Sequence, residues 1–519
     1  MSGSKRFFGI IASCGALAIA APAHAQSAQA NAAFNNQIQA LQDQIRQLNQ
    51  QLQNLQSQVN QQQQSQAQTQ RSVDQMKTQA PASTGGIVAS MPNNRPTLST
   101  ADGRNSISLT GRIHFDMGDY LDYNPQSRKT GTQDLNSGVN LRRGRIGVVG
   151  KVAGDWNYGL IYDFGGSNDS GPGNPGGTNA ANGGGVEQAF LAYNGFKPLW
   201  LEGGYLDLPW TLDEATSSND IMFMERATPG VIAQNLAAGD FRSGVGGHWN
   251  NDRLWVGMYG TSGASGASHA GVGEQFGAIG RATYQVLQSD NYSFHVGVDA
   301  EGLIKPPTNN GVRSITSFSD RPELRIDTTQ ILNAGTIGTA ANPVTGASVF
   351  GAELAGGFGP AFAQAEYYHF NVSRGGTGAP NLNFDGGYVE GSYTITGEHR
   401  RYIPTTGAYS GISPAHPFSI EESTWGAWEL AARYSVMDLN DLFKPGVTTT
   451  TNGVAVAGGH QEVITLGVNW YVNNNIRFML DYLHGYVDKK AGTASPGVPL
   501  GTGIGGNFDA IALRTQVAW

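Results

Sequence analysis

From residue 107 to residue 519, apolar and polar side chains alternate along sixteen segments, most of them roughly ten residues long, which is the length of a membrane-spanning strand. In the first segment, 107–121, the apolar residues Ile107, Leu109, Ile113, Phe115 and Met117 share one face, and the other face carries Ser108, Thr110, Arg112, His114 and Asp116. This period of two predicts β-strands with one face in an apolar medium and the other in water. Beyond the N-terminus no run of about 18 apolar residues occurs, so the sequence predicts an all-β protein without a transmembrane helix.

The lengths of the connections distinguish a transmembrane barrel from a soluble sandwich, which alternates as well. The predicted strands are 107–121, 138–152, 155–164, 186–194, 198–206, 241–249, 253–260, 275–286, 291–301, 348–358, 361–371, 384–396, 424–436, 460–472, 475–487 and 508–519. Links after even-numbered strands are mostly two or three residues long, whereas those after odd-numbered strands are mostly long, which is typical of outer-membrane barrels. The pattern predicts a 16-stranded antiparallel transmembrane β-barrel over 106–519. The long connection 397–423 departs from it, and one interpretation is that it folds into the lumen.

Residues 1–25 have the pattern of a signal peptide, with Lys5 and Arg6 before an apolar stretch and Ala23-His24-Ala25 at its end. The alternative is a lipoprotein, because Ile11-Ala12-Ser13-Cys14 resembles a lipidation box. Cys14 is the one cysteine of the chain. The mature protein is therefore predicted to have neither a disulfide nor a cysteine metal site.

Residues 26–77 carry a heptad repeat that predicts a periplasmic α-helical coiled coil. Apolar residues alternate at spacings of four and three, at Phe34, Ile38, Leu41, Ile45, Leu48, Leu52, Leu55 and Val59, in a background of Gln and Asn. A disordered Gln-rich tract is the alternative, although such tracts lack this periodicity. Ile at the a positions with Leu at d favours a parallel dimer. Residues 78–105, rich in Pro, Ser, Thr and Gly, are predicted to be a linker.

The stretch 206–240 is too long for a simple turn and too apolar for a free tail, since it carries Trp210 and the run 221–224. We expect it to fold into the lumen and narrow it. Its charged residues would then decide what passes, and they are Asp213, Glu214, Asp220, Glu225 and Arg226. Two interpretations of Glu225 and Arg226 remain open: they form the narrowest part of the pore, or they anchor the loop to the wall by ion pairs.

Charged residues on the polar faces of the strands are the other candidates for the pore lining. Arg112, Arg143, Arg145, Glu429 and Arg433 have this parity. A row of arginines facing carboxylates would set a transverse field, whereas the alternative is that each is a solvated lumen residue or braces the wall. Arg142 has the lipid-facing parity and is expected at the rim.

The sequence offers little for catalysis, metals or cofactors. The Gly-rich 501–506 is not followed by a helix, and His399, His416 and His460 are too far apart for a local metal motif. Asp438, Asn440 and Asp441 could hold Ca²⁺, but such residues commonly mark a strand end. The formal net charge of −8 argues against a nucleic-acid partner. We expect no enzyme activity, cofactor or metal.

Several motifs resemble the phosphate-selective porin O and P family. They are LRRGRIG at 141–147 with GK at 150–151, SSND at 217–220, FMER at 223–226, TGE at 396–398, WGAWELAARYS at 425–435, DLND at 438–441 and LGVNWY at 466–471. The resemblance implies an outer-membrane homotrimer of 16-stranded barrels, each narrowed by the loop after the fifth strand. The anion-selective members resemble each other in a Lys-rich constriction, whereas 206–240 contains no Lys.

These expectations give a porin that lets small hydrophilic solutes or ions, including anions such as phosphate, diffuse across the outer membrane. One alternative is a structural protein whose coiled coil tethers the membrane to the cell wall while the barrel only anchors it. Another is an outer-membrane enzyme of the lipase type, which no feature of the sequence favours.

Overall fold

The structure is a computed structural model, and it describes residues 86–126, 135–165, 185–237, 241–263, 272–273, 275–289, 291–376, 378–443, 454–492 and 498–519, together with residues 39, 42, 46, 47 and 50. The chain divides into a unit Met1–Thr84 and a unit Gly85–Trp519. The predicted signal peptide lies outside the described residues. So does the predicted coiled coil, apart from the five isolated positions, which are helical and exposed. Both remain predictions.

Sixteen long strands form one closed sheet. They are β1 Ser106–Pro125, β2 Gly138–Val152, β3 Trp156–Asp163, β4 Gly185–Tyr193, β5 Leu199–Leu206, β6 Arg242–Asn250, β7 Leu254–Thr261, β8 Phe276–Gln288, β9 Tyr292–Lys305, β10 Val344–Phe358, β11 Ala361–Arg374, β12 Leu382–Thr394, β13 Ala427–Asp441, β14 Val456–Tyr471, β15 Ile476–Asp488 and β16 Gly506–Ala518. Each strand pairs antiparallel with the next. β16 pairs with β1, which closes the sheet into a cylinder. The predicted 16-stranded antiparallel barrel is confirmed.

The strands extend further than predicted at the rim that carries the long loops. β13 continues to Asp441 and β14 begins at Val456, where the alternation predicts ends at 436 and 460. Beyond the lipid a strand needs only a hydrogen-bonded neighbour and no apolar outer face, so the alternation fades before the pairing does. The apolar pattern therefore marks the membrane-embedded part of each strand.

The outward face of the barrel is apolar, as the alternation predicts. Phe350, Leu354, Ile464 and Leu466 point outward and are exposed, while the side chains between them face the lumen. At the short-turn rim the outward rings of Trp428, Trp470 and Phe478 are stacked, with centroids 5.4 and 5.5 Å apart. Such an aromatic girdle is typical of the boundary between hydrocarbon and water.

An N-terminal hairpin precedes the barrel. Its strands, Ile87–Ser90 and Thr97–Thr100, are joined through the 3₁₀ turn Pro92–Asn94, and the second strand pairs with the start of β1. This hairpin lies inside the stretch predicted to be a linker.

Two helices lie in the connection between β5 and β6, and they are α1 Leu212–Ala215 and α2 Thr228–Ala237. The Thr211 side chain accepts a hydrogen bond from Glu214 N and so caps the first turn of α1. Within the part of the chain that the structure describes, no helix is long and apolar enough to cross a membrane.

Among the residues that the structure describes, three connections fold into the lumen. We call 207–237 the inner loop, 306–343 the β9–β10 loop and 395–426 the β12–β13 segment. Short strands stiffen the latter two. In the β9–β10 loop, Thr308–Asn309 pairs on one side with Val272–Gly273 and on the other with Val312–Arg313, and Ser319–Asp320 pairs with Leu332–Asn333. In the β12–β13 segment, Tyr402–Ile403 pairs with Ala408–Tyr409.

The β12–β13 segment leaves the short-turn rim and reaches the opposite wall. Trp255 on β7 donates to Thr405 O at 3.0 Å, and Arg281 on β8 donates to Gly407 O at 2.7 Å. Tyr409 packs on Phe362 of β11 with ring centroids 4.7 Å apart. The long connection at the unexpected rim therefore crosses the lumen, in agreement with the interpretation from its length.

Candidate functional site

The inner loop is the centre of the lumen. Its apolar side chains are almost completely buried, and Trp210 has 0% of its surface exposed. Trp210 donates its indole N–H to Ala300 O on β9 at 3.1 Å. The expectation that this loop folds inward, derived from Trp210 and the run 221–224, agrees with these contacts.

Arginines of the wall hold the irregular part of the inner loop by its carbonyl groups. Arg477 on β15 donates to Asn219 O at 3.1 Å and to Ile221 O at 2.8 Å. Arg433 on β13 donates to Glu225 O at 2.8 Å, and Arg514 on β16 donates to Met224 O. An irregular chain leaves its carbonyls without intrachain partners, and guanidiniums with five donors satisfy several of them at once.

Carboxylates hold the loop by its N–H groups, chiefly where it is helical. Glu366 on β11 accepts from Leu212 N at 2.7 Å and from Asp213 N at 3.0 Å, at the start of α1. Glu323 of the β9–β10 loop accepts from Thr228 N at 2.9 Å, at the start of α2. The first turn of a helix presents unbonded N–H groups and a partial positive charge, which a carboxylate satisfies.

Glu225 is the most heavily paired carboxylate of the inner loop. Arg142 contacts it with two nitrogens at 2.7 and 3.0 Å, and Arg514 contacts it at 2.8 Å while also holding Asp116 at 2.7 Å. Burial alone would raise the pKa of Glu225, but the guanidiniums of Arg142 and Arg514 hold it well below its usual range. Although Glu225 is only 4% exposed, its lowered pKa keeps it ionised within an arginine cluster.

The prediction that Arg142 lies at the rim on the lipid-facing side is wrong. His114 on β1 pairs with Arg143 and the next residue, Phe115, pairs with Leu141, so Arg142 is the extra residue of a β-bulge. A bulge breaks the two-residue alternation, and Arg142 and Arg143 both become buried. The bulge has no local signature in LRRGRIG, where a regular strand is equally compatible with the residues.

Arg226, unlike Glu225, pairs within its own loop. Its Nε lies 3.0 Å from Glu214 and 4.0 Å from Asp213, and it also donates to Thr216 O at 3.0 Å. Glu225 and Arg226 therefore both make anchoring contacts, one to the wall and one across the loop. This geometry supports the anchor interpretation of the pair.

Asp220 and Glu429 meet at Arg400, a residue that the sequence did not single out. Arg400 of the β12–β13 segment contacts Glu429 on β13 at 2.8 Å and donates to Asp220 O at 2.6 Å. It thereby ties together the wall, the inner loop and the segment from the other rim. The signal that could have identified Arg400 is its position two residues before an aromatic residue, Tyr402, in a connection that is unusually long for the short-turn rim.

Three predicted arginines line one cavity. Arg112, Arg143 and Arg145 face the inner loop across a space of about 200 Å³, which Glu214 and Arg226 also line. Arg145 is held by Asp163 at 2.9 Å and by Glu187, and Arg112 donates to Ser218. The structure thus brings together five of the predicted charged residues on the β1–β3 side.

Arg143 differs from its neighbours in that cavity. It is 1% exposed, and its Nε and Nη1 have no hydrogen-bond partner among the residues that the structure describes. The nearest charged groups are Arg142, Arg145, Glu225 and Arg514. A buried guanidinium in mainly cationic surroundings attracts a small anion.

A second cavity, of about 550 Å³, adjoins the first. The two share Asp207, Glu214, Ala215 and Thr406, and the second reaches the short-turn rim at Lys197 and Asn250. Together they lie between the β1–β6 wall and the inner loop and are the candidate passage. The charged candidates Asp213, Asp220, Glu225, Glu429 and Arg433 lie outside its lining.

Comparisons with known proteins agree on one family. The model of the family described as phosphate-selective porin O and P matches residues 107–519. Porin O of Pseudomonas aeruginosa is 25% identical over 412 residues, covering 76% of this chain and 85% of that protein.

Solved structures with a similar fold include the outer-membrane channel DcaP of Acinetobacter baumannii, with a TM-score of 0.45, 11% identity and coverage of 81% of this chain and 99% of that one. An anion-selective porin from Comamonas acidovorans has a TM-score of 0.45, 12% identity and coverage of 80% and 100%. The family match spans the whole barrel, from its first strand to its last residue. The chain belongs to the phosphate-selective porin O and P family, and it is an outer-membrane porin through which small hydrophilic solutes diffuse.

Proposed function

We propose that this porin passes small anions, such as phosphate and chloride, in preference to cations, and that they cross through the passage beside Arg143. The observation that supports this route is Arg143, which lines the cavity, is buried, and has two nitrogens, Nε and Nη1, without a hydrogen-bond partner among the described residues. Four arginines line this cavity, Arg112, Arg143, Arg145 and Arg226, and they would attract an anion and repel a cation.

The preference for anions is modest in this proposal. Asp207 and Glu214 also line the cavity, and Asp163 and Glu187 already compensate Arg145. The inner loop has no Lys to hold a phosphate through a second point charge. We therefore expect phosphate to pass or to bind weakly rather than to be selected strongly, although the family's name indicates phosphate.

The experiment is a reversal potential measured in planar bilayers across a KCl gradient, first with the unaltered protein. We expect the sign to indicate a chloride preference of severalfold, and Arg143→Ala to remove most of it. Arg253→Ala, which removes an exposed arginine at the short turn after β6, is the matched control and should leave the potential unchanged. Cation selectivity of the unaltered protein would overturn the proposal, and a strong block by phosphate would show that its specificity is underestimated here.

We also propose the assembly that the family resemblance implies, namely a homotrimer in the outer membrane with the 26–77 coiled coil in the periplasm. Stepwise closure in three equal conductance levels would support it. Deletion of 34–76 should leave conducting barrels that trimerise less well. Unchanged assembly and thermal stability of the deletion would remove the role of the coiled coil.

The tether remains a second candidate because three connections occupy the lumen. If the inner loop and the β12–β13 segment block the pore completely, the bilayer recordings will show no conductance with the unaltered protein. The barrel would then act as an anchor, and the coiled coil would carry the function. Conductance of the unaltered protein removes this candidate.

A further inference from the structure

Three buried carboxylates form a cluster on the wall opposite Arg143. Asp299 on β9, Glu353 on β10 and Glu366 on β11 each place an oxygen within 4.8 Å of the other two. All three side chains are buried, and Asp299 is 4% exposed. Since an ionised carboxylate out of water is costly without a counter-charge, the cluster needs compensation.

The contacts around the cluster compensate one of its three members. Glu353 is held by Arg281 and by His295 Nε2, both at 3.1 Å. Glu366 accepts from Leu212 N, Asp213 N and Tyr388 OH, which are neutral donors. Within the described part of the chain, neither oxygen of Asp299 has a hydrogen-bond partner.

Two glycines of the neighbouring strands leave the space in which Asp299 and Glu353 lie against the wall. Asp299 lies across Gly351 and Glu353 lies across Gly297, and a Cβ at either glycine would collide with the carboxylate. Each of the three carboxylates places an oxygen within 4.8 Å of the other two, so the position offers several oxygen atoms around one space.

We propose that Asp299, Glu353 and Glu366 bind one calcium ion. Calcium takes six to eight oxygen ligands at about 2.3–2.6 Å, so oxygens up to about 5 Å apart can share it, and these lie within 4.8 Å of one another. Magnesium needs a near-ideal octahedron of oxygens at about 2.0–2.1 Å and usually keeps several waters, which suits a buried cluster of side chains less well. Zinc prefers nitrogen and sulfur, and the one adjacent imidazole, His295, is engaged by Glu353.

A calcium ion at this site would stabilise the inner loop through the wall strands against which the loop packs. Glu366 accepts from the first two N–H groups of α1 with one oxygen each, so an ion that shares one of these oxygens would fix the acceptor that holds α1. Calcium would thus tie β9, β10 and β11 to the loop that narrows the pore. This is independent of the anion preference, which depends on Arg143 across the lumen.

The test uses the full-length protein refolded from urea, so that it carries no calcium-binding glycolipid, and then treated with EGTA. CaCl₂ should raise the apparent melting temperature by several degrees, and MgCl₂ at equal concentration should raise it less. Tb³⁺ should show luminescence sensitised by Trp210, whose indole donates to Ala300 beside Asp299, and Ca²⁺ should quench it by displacement.

Asp299→Asn should lose both responses while keeping the shape of the side chain. Asp385→Asn, which removes an exposed acid on the outer face, is the matched control and should keep both. A calcium response that persists in Asp299→Asn would overturn the proposal. An unaltered protein that responds to neither ion would also overturn it, and would indicate that the carboxyls share protons instead. That measurement does not depend on the folding of a variant.

Discussion

Two parts of the wall hold the same loop through opposite chemistry. On β13, β15 and β16, arginines donate to the carbonyls of residues 219–225, whereas on β11 and in the β9–β10 loop, carboxylates accept from the N–H groups that begin α1 and α2. Asp481 on β15 is an exception, since it accepts from Met224 N at 2.8 Å. The difference teaches that the local conformation of the loop decides which charge the wall must present.

The two parts also differ in how complete their charge compensation is. Each anchoring arginine has several acceptors, and Arg514 alone contacts Asp116, Glu225 and Met224 O. The carboxylate side has fewer cations, with Arg281 on Glu353 and Arg433 on Glu323. The arginine side is therefore more fully compensated by its own contacts than the carboxylate side.

The largest effect should come from Glu225→Ala, because it removes the counter-charge of Arg142 and part of that of Arg514. Breaking a buried ion pair from one side costs about 3–5 kcal/mol. We expect the inner loop to leave the arginine wall, so that single-channel conductance rises severalfold and the current becomes noisy. Glu422→Ala, which removes an exposed acid on the rim, is the control. If Glu225→Ala gives quiet channels of unchanged conductance, the arginine anchor is dispensable.

Arg477→Ala should have the next largest effect, because it leaves the carbonyls of Asn219 and Ile221 without this donor. A buried polar group without a partner costs about 1–3 kcal/mol, which applies to Ile221 O, whereas Asn219 O keeps Gln516 Nε2 as a donor at 3.0 Å. Arg477→Lys separates charge from geometry, since Lys keeps the charge but lacks the planar group that donates to Asn219 O, Ile221 O and Met222 O. We expect Lys to restore less than half of the lost thermal stability, measured by the temperature at which the folded band disappears on a gel. Full restoration would mean that charge alone holds the loop.

Glu323→Gln should have a smaller effect on the carboxylate side. Gln keeps one acceptor for Thr228 N but loses the ion pair with Arg433, which lies 2.7 Å away. Arg433 retains Glu225 O and, at 3.7 Å, Glu390, so we expect a loss of about 1–2 kcal/mol. Proteolysis within the β9–β10 loop would detect its release. A loss as large as that of Glu225→Ala would contradict the asymmetry between the two sides.

Much of the fold was predictable because a barrel in lipid forces each strand to alternate. All sixteen strands and the inward position of the inner loop follow from period and from apolar residues such as Trp210. Pairings across the lumen could not be read, because they join residues far apart in sequence, as in the contact of Arg400 with Glu429 and Asp220. The bulge at Arg142 was missed since one inserted residue leaves no local signature.

The candidate site was predictable in composition but less so in arrangement. The sequence indicated that Arg112, Arg143 and Arg145 would face the lumen, and the three line one cavity. It did not indicate that the β9–β10 loop would enter the lumen and bring Glu323 to α2, although Phe318, Leu324 and Ile331 make that loop too apolar for solvent. The apolar residues of this loop support the same inference that Trp210 supports for the inner loop and that length supports for 397–423.

The smallest predicted effect compares two acids of the same loop. Burial raises the pKa of Asp220, and Arg400, Arg477 and Arg112 oppose this only in part, whereas the arginines around Glu225 lower its pKa. A raised pKa means that the folded protein disfavours the ionised Asp220, so ionisation reduces stability above the ordinary value of 3.8. Asp220→Asn should therefore raise the melting temperature slightly at pH 7, and the gain should vanish at pH 3, where both states hold the proton.

Glu225→Gln should do the opposite at pH 7, because the ionised Glu225 stabilises the folded state above its ordinary pKa and this contribution is lost as the pH falls through the lowered value. Asp252→Asn, at the exposed turn after β6, is the control for a lost negative charge and should leave the melting temperature unchanged at both pH values. If Asp220→Asn lowers the melting temperature at pH 7, then Asp220 is held by Arg400 and Arg477 as firmly as Glu225 is by Arg142. The arginine side would then extend across the whole stretch 219–225 through side chains as well as carbonyls.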